Sequence, residues 1–146
     1  MAVSEKTMRP SGILRWLGGG RRGLEGYLYV IHRISGLALL MFLMMHVFFT
    51  GVRLLGEEAW SGLMEMANNP VLHFLEYLVY VAFAFHAVNG LRLIIIELAF
   101  GIGPPDEPVY PYKGSIHKQR PLMLIAMVIV GILIFAGGFD LVAMGH

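Results

Sequence analysis

The sequence predicts an all-α membrane protein with three transmembrane helices. Of its 146 residues 57% are hydrophobic and only 14% are charged, too few charges to cover a soluble domain of this length. The apolar residues gather in three runs, at about 34–55, 71–100 and 121–143. Each run reaches the roughly 20 helical residues that cross the hydrocarbon layer.

The elements follow in order. Residues 1–26 form a polar, basic segment containing Gly18-Gly19-Gly20-Arg21-Arg22. It lacks the apolar core of a secretory signal, so no cleavable signal is expected. Residues 27–146 read as one transmembrane domain with helices at about 27–55, 71–100 and 121–143. The first connection, about 56–70, holds Glu57, Glu58 and Glu65. The second, Gly101 to Arg120, contains Gly-Ile-Gly-Pro-Pro, Pro108 and Pro111, which stop the second helix and keep the loop irregular. Tyr77, Tyr80, Tyr110, Tyr112, Trp16 and Trp60 suit the membrane interfaces.

Positive charge sets the orientation. Lys6, Arg9, Arg15, Arg21, Arg22 and Arg33 precede or begin the first helix, and Lys113, Lys118 and Arg120 lie in the second connection. Lys and Arg favour the cytoplasmic side. A multi-pass protein of the cytoplasmic membrane is expected, with its N-terminus inside and its C-terminus outside. The sequence has no cysteine, which excludes disulfides, thiolate metal sites and iron–sulfur ligation by these residues. A net charge of +1 leaves no electrostatic footprint for nucleic acid.

Polar groups inside a span cost several kcal/mol, which makes each a functional candidate. His86 lies in "VAFAFHAVNGLRLIIIEL", with Gly90 one turn away on the same face. A histidine beside a glycine leaves a flat space that suits a haem and its axial imidazole. A hydrogen bond to a neighbouring helix accounts for the spacing equally well. His46 sits in "LMMHVFF", fourteen residues beyond His32. That separation is about 21 Å of rise and roughly 40° of rotation. The two share a face at opposite depths and cannot hold one small group. His32-Arg33 opens the first helix; the arginine can snorkel to headgroups, pair with a propionate, or donate hydrogen bonds to a quinone. Arg92 suits either a propionate or a headgroup anchor alongside Glu97. Asn89 reads as an interhelical hydrogen-bonder. His73 reads as interfacial, and Met41, Met44 and Met45 read as packing. No role is expected for His117 or His146.

Two segments together carry a resemblance. "HRISG" at 32–36 and "HAVNGLR...E" from His86 to Glu97 match a His-Arg-x-Ser-Gly start and a later His-x3-Gly-x-Arg followed by an acidic residue. The chain resembles, from about 27 to 143, the cytochrome b556 C-type membrane-anchor subunit of succinate dehydrogenase (succinate:quinone oxidoreductase, complex II). The resemblance implies half of a two-subunit haem-binding helical bundle. A flavoprotein would carry FAD and the dicarboxylate site, and an iron–sulfur protein would relay electrons to the membrane. This chain and a second anchor subunit would hold haem b and the quinone. The family's axial histidine falls on His86, with its partner ligand from the other anchor subunit. The quinone-site arginine falls on Arg33, and His32 would lie next to it, near a propionate. Family members often carry a serine near the quinone three residues before the His-Arg pair; here Tyr29 stands there, whose phenol also hydrogen-bonds. His46 lies outside the single-haem pattern, but relatives with two haems carry a histidine about this far along.

Depth bears on the haem count. His46 is thirteen residues beyond Arg33, about 20 Å, and His86 only six from Arg92, about 9 Å. With Glu97 as the boundary, His86 lies about 16 Å deep and the distinction fades. The first count favours two haems, each completed by a partner histidine. The expected role is electron transfer from the iron–sulfur subunit to quinone. A quinol:fumarate reductase anchor fits the same residues, and a haem-free structural anchor is the rival of another class. No acidic residue lies deep in a span, which disfavours a transporter.

Overall fold

The computed structural model describes residues 24–98, 100 and 116–144. Most of the basic N-terminal segment with Trp16, the second connection through residue 115 with Tyr110 and Tyr112, the side chain of His117, and His146 lie outside the described residues. Four α-helices and one 3-10 turn make up the described chain: α1 (Leu24–Thr50), the turn Gly51–Leu55, α2 (Glu57–Ala67), α3 (Pro70–Glu97) and α4 (Ile116–Met144). Three stretches are long and apolar enough to cross a membrane: Leu24–Leu55, Pro70–Glu97 and Lys118–Ala143. The expected all-α architecture with three spans is the one observed.

Local chemistry sets the boundaries. At the end of α1 the Thr50 hydroxyl donates to the carbonyls of His46 at 2.8 Å and Val47 at 3.1 Å. Such back-bonding competes with the helical ladder. The chain tightens into the 3-10 turn and leaves it at Gly56, whose φ of 109° suits glycine and few other residues. At the start of α3, Asn69 caps the helix by accepting from the backbone N–H groups of Val71 and Leu72, both at 3.1 Å. Pro70 follows, where its missing N–H costs nothing. Pro121 lies inside α4. Its nitrogen cannot donate back along the helix, but the position is close enough to the start for the helix to continue.

One element departs from the expectation. The stretch after Gly56, expected only as a connection between spans, is a helix, α2. Ala, Leu, Met and Glu in "EEAWSGLMEMA" are strong helix formers, and Glu57 and Glu58 sit in the first turn, where the helix dipole favours negative charge. No α2 residue is buried. The Arg53 guanidinium lies 4.9 Å from the centroid of the Trp60 ring and ties α2 to the preceding turn.

The helix α3 packs against both α1 and α4. Against α4, the hydroxyls of Tyr77 and Tyr80 donate to the carbonyls of Ile134 at 3.0 Å and Leu133 at 2.9 Å. Gly137 and Gly138 make room for these rings, since a Cβ at either would abut Tyr80 or Tyr77. At one end of the bundle Arg120 pairs with Glu25 at 3.7 Å, joining the starts of α4 and α1. The buried apolar core is thin: Leu28, Val30, Ala84, Met123, Ala126 and Val130. Most large apolar side chains face outward, as lipid or another transmembrane chain allows and water does not.

The α3–α4 contact generates a prediction. The Tyr80 hydroxyl is held by Leu133, so its ring cannot swing away cheaply from a side chain at 137. Gly137→Val is expected to separate α3 from α4 and to cost about 1–3 kcal/mol, as overpacking does. It should appear as a lowered thermal midpoint of the detergent-purified protein.

Candidate functional site

The site is built where α1 crosses α3. On α1, residues 32, 35 and 36 share a face through their three- and four-residue spacing, and on α3 residues 86, 89 and 90 do the same. Each set is a histidine followed by a small polar residue and a glycine: His32, Ser35, Gly36 and His86, Asn89, Gly90. The two sets interlock. The His32 and His86 rings stack with centroids 4.1 Å apart and planes 5° from parallel. A Cβ at Gly36 would stand 2.7 Å from His86 Cε1, and one at Gly90 would stand 3.2 Å from His32 Cε1. Each histidine thus occupies the space that the other helix's glycine leaves. The flat face expected beside Gly90 receives the His32 ring.

The hydrogen bonds at this crossing fix the chemistry of His86. Its Nδ1 lies 3.0 Å from the His32 carbonyl oxygen and 3.2 Å from Ser35 Oγ, while the Ser35 hydroxyl donates to that carbonyl at 2.9 Å. A carbonyl oxygen only accepts, so His86 Nδ1 carries the proton and donates. The neutral ring then keeps its lone pair on Nε2. This is how metal-binding histidines are held, with the second ring nitrogen donating to a backbone carbonyl or carboxylate. Among the described residues no three His, Asp or Glu side chains gather into a metal-holding group. A metal bound through His86 would take its other ligands from outside this set.

A buried polar cluster lies along the same face of α3. Asn89 has no exposed surface and Arg92 is 4% exposed. Both polar atoms of the Asn89 side chain, Nε and Nη1 of Arg92 and Nδ1 of His32 are buried without a hydrogen-bond partner among the described residues. The Glu25 carboxylate is within electrostatic reach of Arg92 and is ion-paired with Arg120. Buried polar groups are nearly always hydrogen-bonded in native proteins. The N–H donors among them, Asn89 Nδ2 and Arg92 Nε and Nη1, suit an acceptor-rich, anionic group brought from outside the chain, the chemistry of a carboxylate, whereas Asn89 Oδ1 calls for a donor.

Two expectations change here. Arg92 is not a headgroup anchor beside Glu97, because it points into the chain while Glu97 is exposed. Asn89 makes no hydrogen bond to another helix among the described residues. The adjacent residues His32 and Arg33 face different ways, about 100° apart on the helix. His32 turns inward, while Arg33 is exposed on the outer face with Tyr29. Arg33 Nη1 donates to the Tyr29 hydroxyl at 3.4 Å, and the guanidinium stands 5.4 Å from the centroid of that ring. His46 is exposed, with its ring centroid 5.5 Å from that of Phe42. The His32–His86 stack puts His86 at the level of His32, so His46 lies about 21 Å away along α1. His73 meets Asn68 at 3.2 Å and Glu76 at 3.4 Å on the exposed end of α3.

Ser35, Gly36 and Glu25 were not expected at the site. The repeated pattern of histidine, small polar residue and glycine in "HRISG" and "HAVNG" is the signal that finds the first two. Glu25 carries no such signal, since a carboxylate just before an apolar run looks interfacial.

Comparison with known proteins agrees with this architecture. Residues 9–135 match the family described as succinate dehydrogenase/fumarate reductase transmembrane subunit. The chain is 31% identical over 105 residues to the succinate dehydrogenase 2 membrane subunit SdhC of Mycobacterium tuberculosis, covering 71% of this chain and 75% of that protein. It is 27% identical over 83 residues to a succinate dehydrogenase hydrophobic membrane anchor subunit of Halobacterium salinarum, covering 56% of this chain and 64% of that one. With three spans and a match over most of its length, the chain belongs to the succinate dehydrogenase/fumarate reductase transmembrane-subunit family.

Proposed function

We propose that this chain is the cytochrome b membrane anchor of a succinate:quinone oxidoreductase, holding haem b through His86 and forming part of the quinone site with Arg33 and Tyr29. The observation that carries the haem reading is the 3.0 Å contact of His86 Nδ1 with the His32 carbonyl oxygen, which calls for a proton on Nδ1 and leaves the lone pair of Nε2 to ligate. Haem b, when bound, supplies a one-electron redox centre within the membrane. Arg92 and His32 are the residues to hold a propionate. Their unpartnered buried nitrogens call for an anionic acceptor, and Arg offers it a planar fork of donors. The second axial ligand would come from the partner anchor subunit.

Quinone reduction takes two electrons and two protons. Arg33, exposed with the Tyr29 phenol beside it, can donate hydrogen bonds to a quinone carbonyl and stabilise the negative charge that reduction places there. The iron–sulfur subunit would deliver electrons from the flavoprotein at this end of the helices. The basic residues there assign that end to the cytoplasm, so the N-terminus lies inside and the C-terminus outside. His46, about 21 Å further along α1, is assigned to a second haem near the outer side, again completed by the partner.

Three results test this reading on the purified complex. His86→Ala should abolish the b-type absorption of one haem in a reduced-minus-oxidised spectrum; an unaltered spectrum removes the ligand assignment. His46→Ala should halve the haem per flavin and leave the His86-dependent signal in place. An unchanged ratio leaves a single-haem subunit. Arg33→Ala should slow quinone reduction roughly ten- to a hundredfold, the loss of about 1.5–3 kcal/mol for a hydrogen bond to a charged group. Succinate oxidation by an artificial acceptor should be unaffected.

A further inference from the structure

Ser35 lies at the helix crossing and has no part in the function proposed so far. It is 6% exposed and faces α3. Its hydroxyl, the His32 carbonyl and His86 Nδ1 form a closed triangle with sides of 2.9, 3.0 and 3.2 Å. The carbonyl oxygen accepts twice, from the Ser35 hydroxyl and from His86. The shortest side belongs to the serine. An acceptor that already takes one strong hydrogen bond is a weaker acceptor for the next.

We infer that Ser35 is a positioning residue that sets the donor strength of His86 by sharing the carbonyl to which His86 is bound. This rests on the reading of His86 as an iron ligand. A histidine whose Nδ1–H is pulled hard by a carbonyl takes on imidazolate character and gives more electron density to its metal, favouring the oxidised state. With Ser35 present the pull is divided, and the ligand is held nearer to a neutral imidazole. The reduced iron is favoured accordingly. The stacked His32 ring and the bare Cα of Gly36 hold the plane of the imidazole, so the hydroxyl acts on a ring that cannot turn away from it. Ser35 itself would touch neither haem nor quinone.

The test is a potentiometric titration of the haem in the purified complex carrying Ser35→Ala. The carbonyl then has His86 as its only side-chain donor. The expected result is retained haem with a midpoint potential more negative than in the unaltered protein, together with a change in the electron paramagnetic resonance of the ferric haem. Ser35→Thr keeps the hydroxyl and should restore the original potential. An unmoved or more positive potential in Ser35→Ala overturns the inference. So does loss of haem in both Ser35→Ala and Ser35→Cys, which would assign the serine to packing alone. His86→Ala separates the two levels. If it leaves the b-type spectrum intact, the ligand reading itself fails. If it removes a haem while Ser35→Ala leaves the potential unmoved, only the role of Ser35 is lost.

Discussion

The close approach of α1 to α3 is the constraint on which this molecule depends. Two glycines, one on each helix, let the backbones come near enough for each helix to insert a histidine into the space beside the other. A lipid environment gives little hydrophobic reason for two apolar helices to associate, so packing and polar contacts have to supply it. At this crossing they are the same residues. The stacked rings fill the gap, and the His86–His32 hydrogen bond spans it. The orientation of the His86 ring and the cohesion of the fold thus come from one contact.

The same economy governs charge. Burying an arginine is costly unless it is paired and hydrogen-bonded. Arg92 is buried between helices with Glu25 as the nearby counter-charge, and Glu25 in turn meets Arg120 at the start of α4. All three spans therefore contribute one member to a chain of alternating charge at one end of the bundle. Beyond it the bundle is held by tyrosine hydroxyls bound to α4 carbonyls, which add no charge to the apolar interior.

The sequence was legible where the membrane itself imposes the rule. Hydrocarbon demands long apolar helices, so Leu24–Leu55, Pro70–Glu97 and Lys118–Ala143 stood out as runs. The helix α2 left no such mark, because it is a polar surface helix and hydropathy does not separate it from a loop. His86 was legible as a lone polar group in an apolar run. The inward turn of Arg92 was not, because an arginine near the end of a span reads the same whether it points to headgroups or between helices. Ser35 and Gly36 belong to the "HRISG" motif, yet their contact with His86 depends on an interhelical distance that no single-helix pattern contains. Depth was half legible. Counting along α1 gave the spacing of His32 and His46, but only the ring stack fixes His86 at the level of His32.

The polar groups of α3 have a consequence for how that helix is accommodated in a bilayer. His86, Asn89 and Arg92 emerge from the ribosome on a helix that follows α1 in translation order. Alone in lipid, that helix would expose a polar stripe with nothing to bind. The helix made before it already presents the Ser35 hydroxyl, the His32 carbonyl and the Glu25 carboxylate along the matching face. The first span thereby stands in for water along the second: it offers a carbonyl to the His86 ring and a counter-charge to the Arg92 guanidinium, neither of which hydrocarbon can supply.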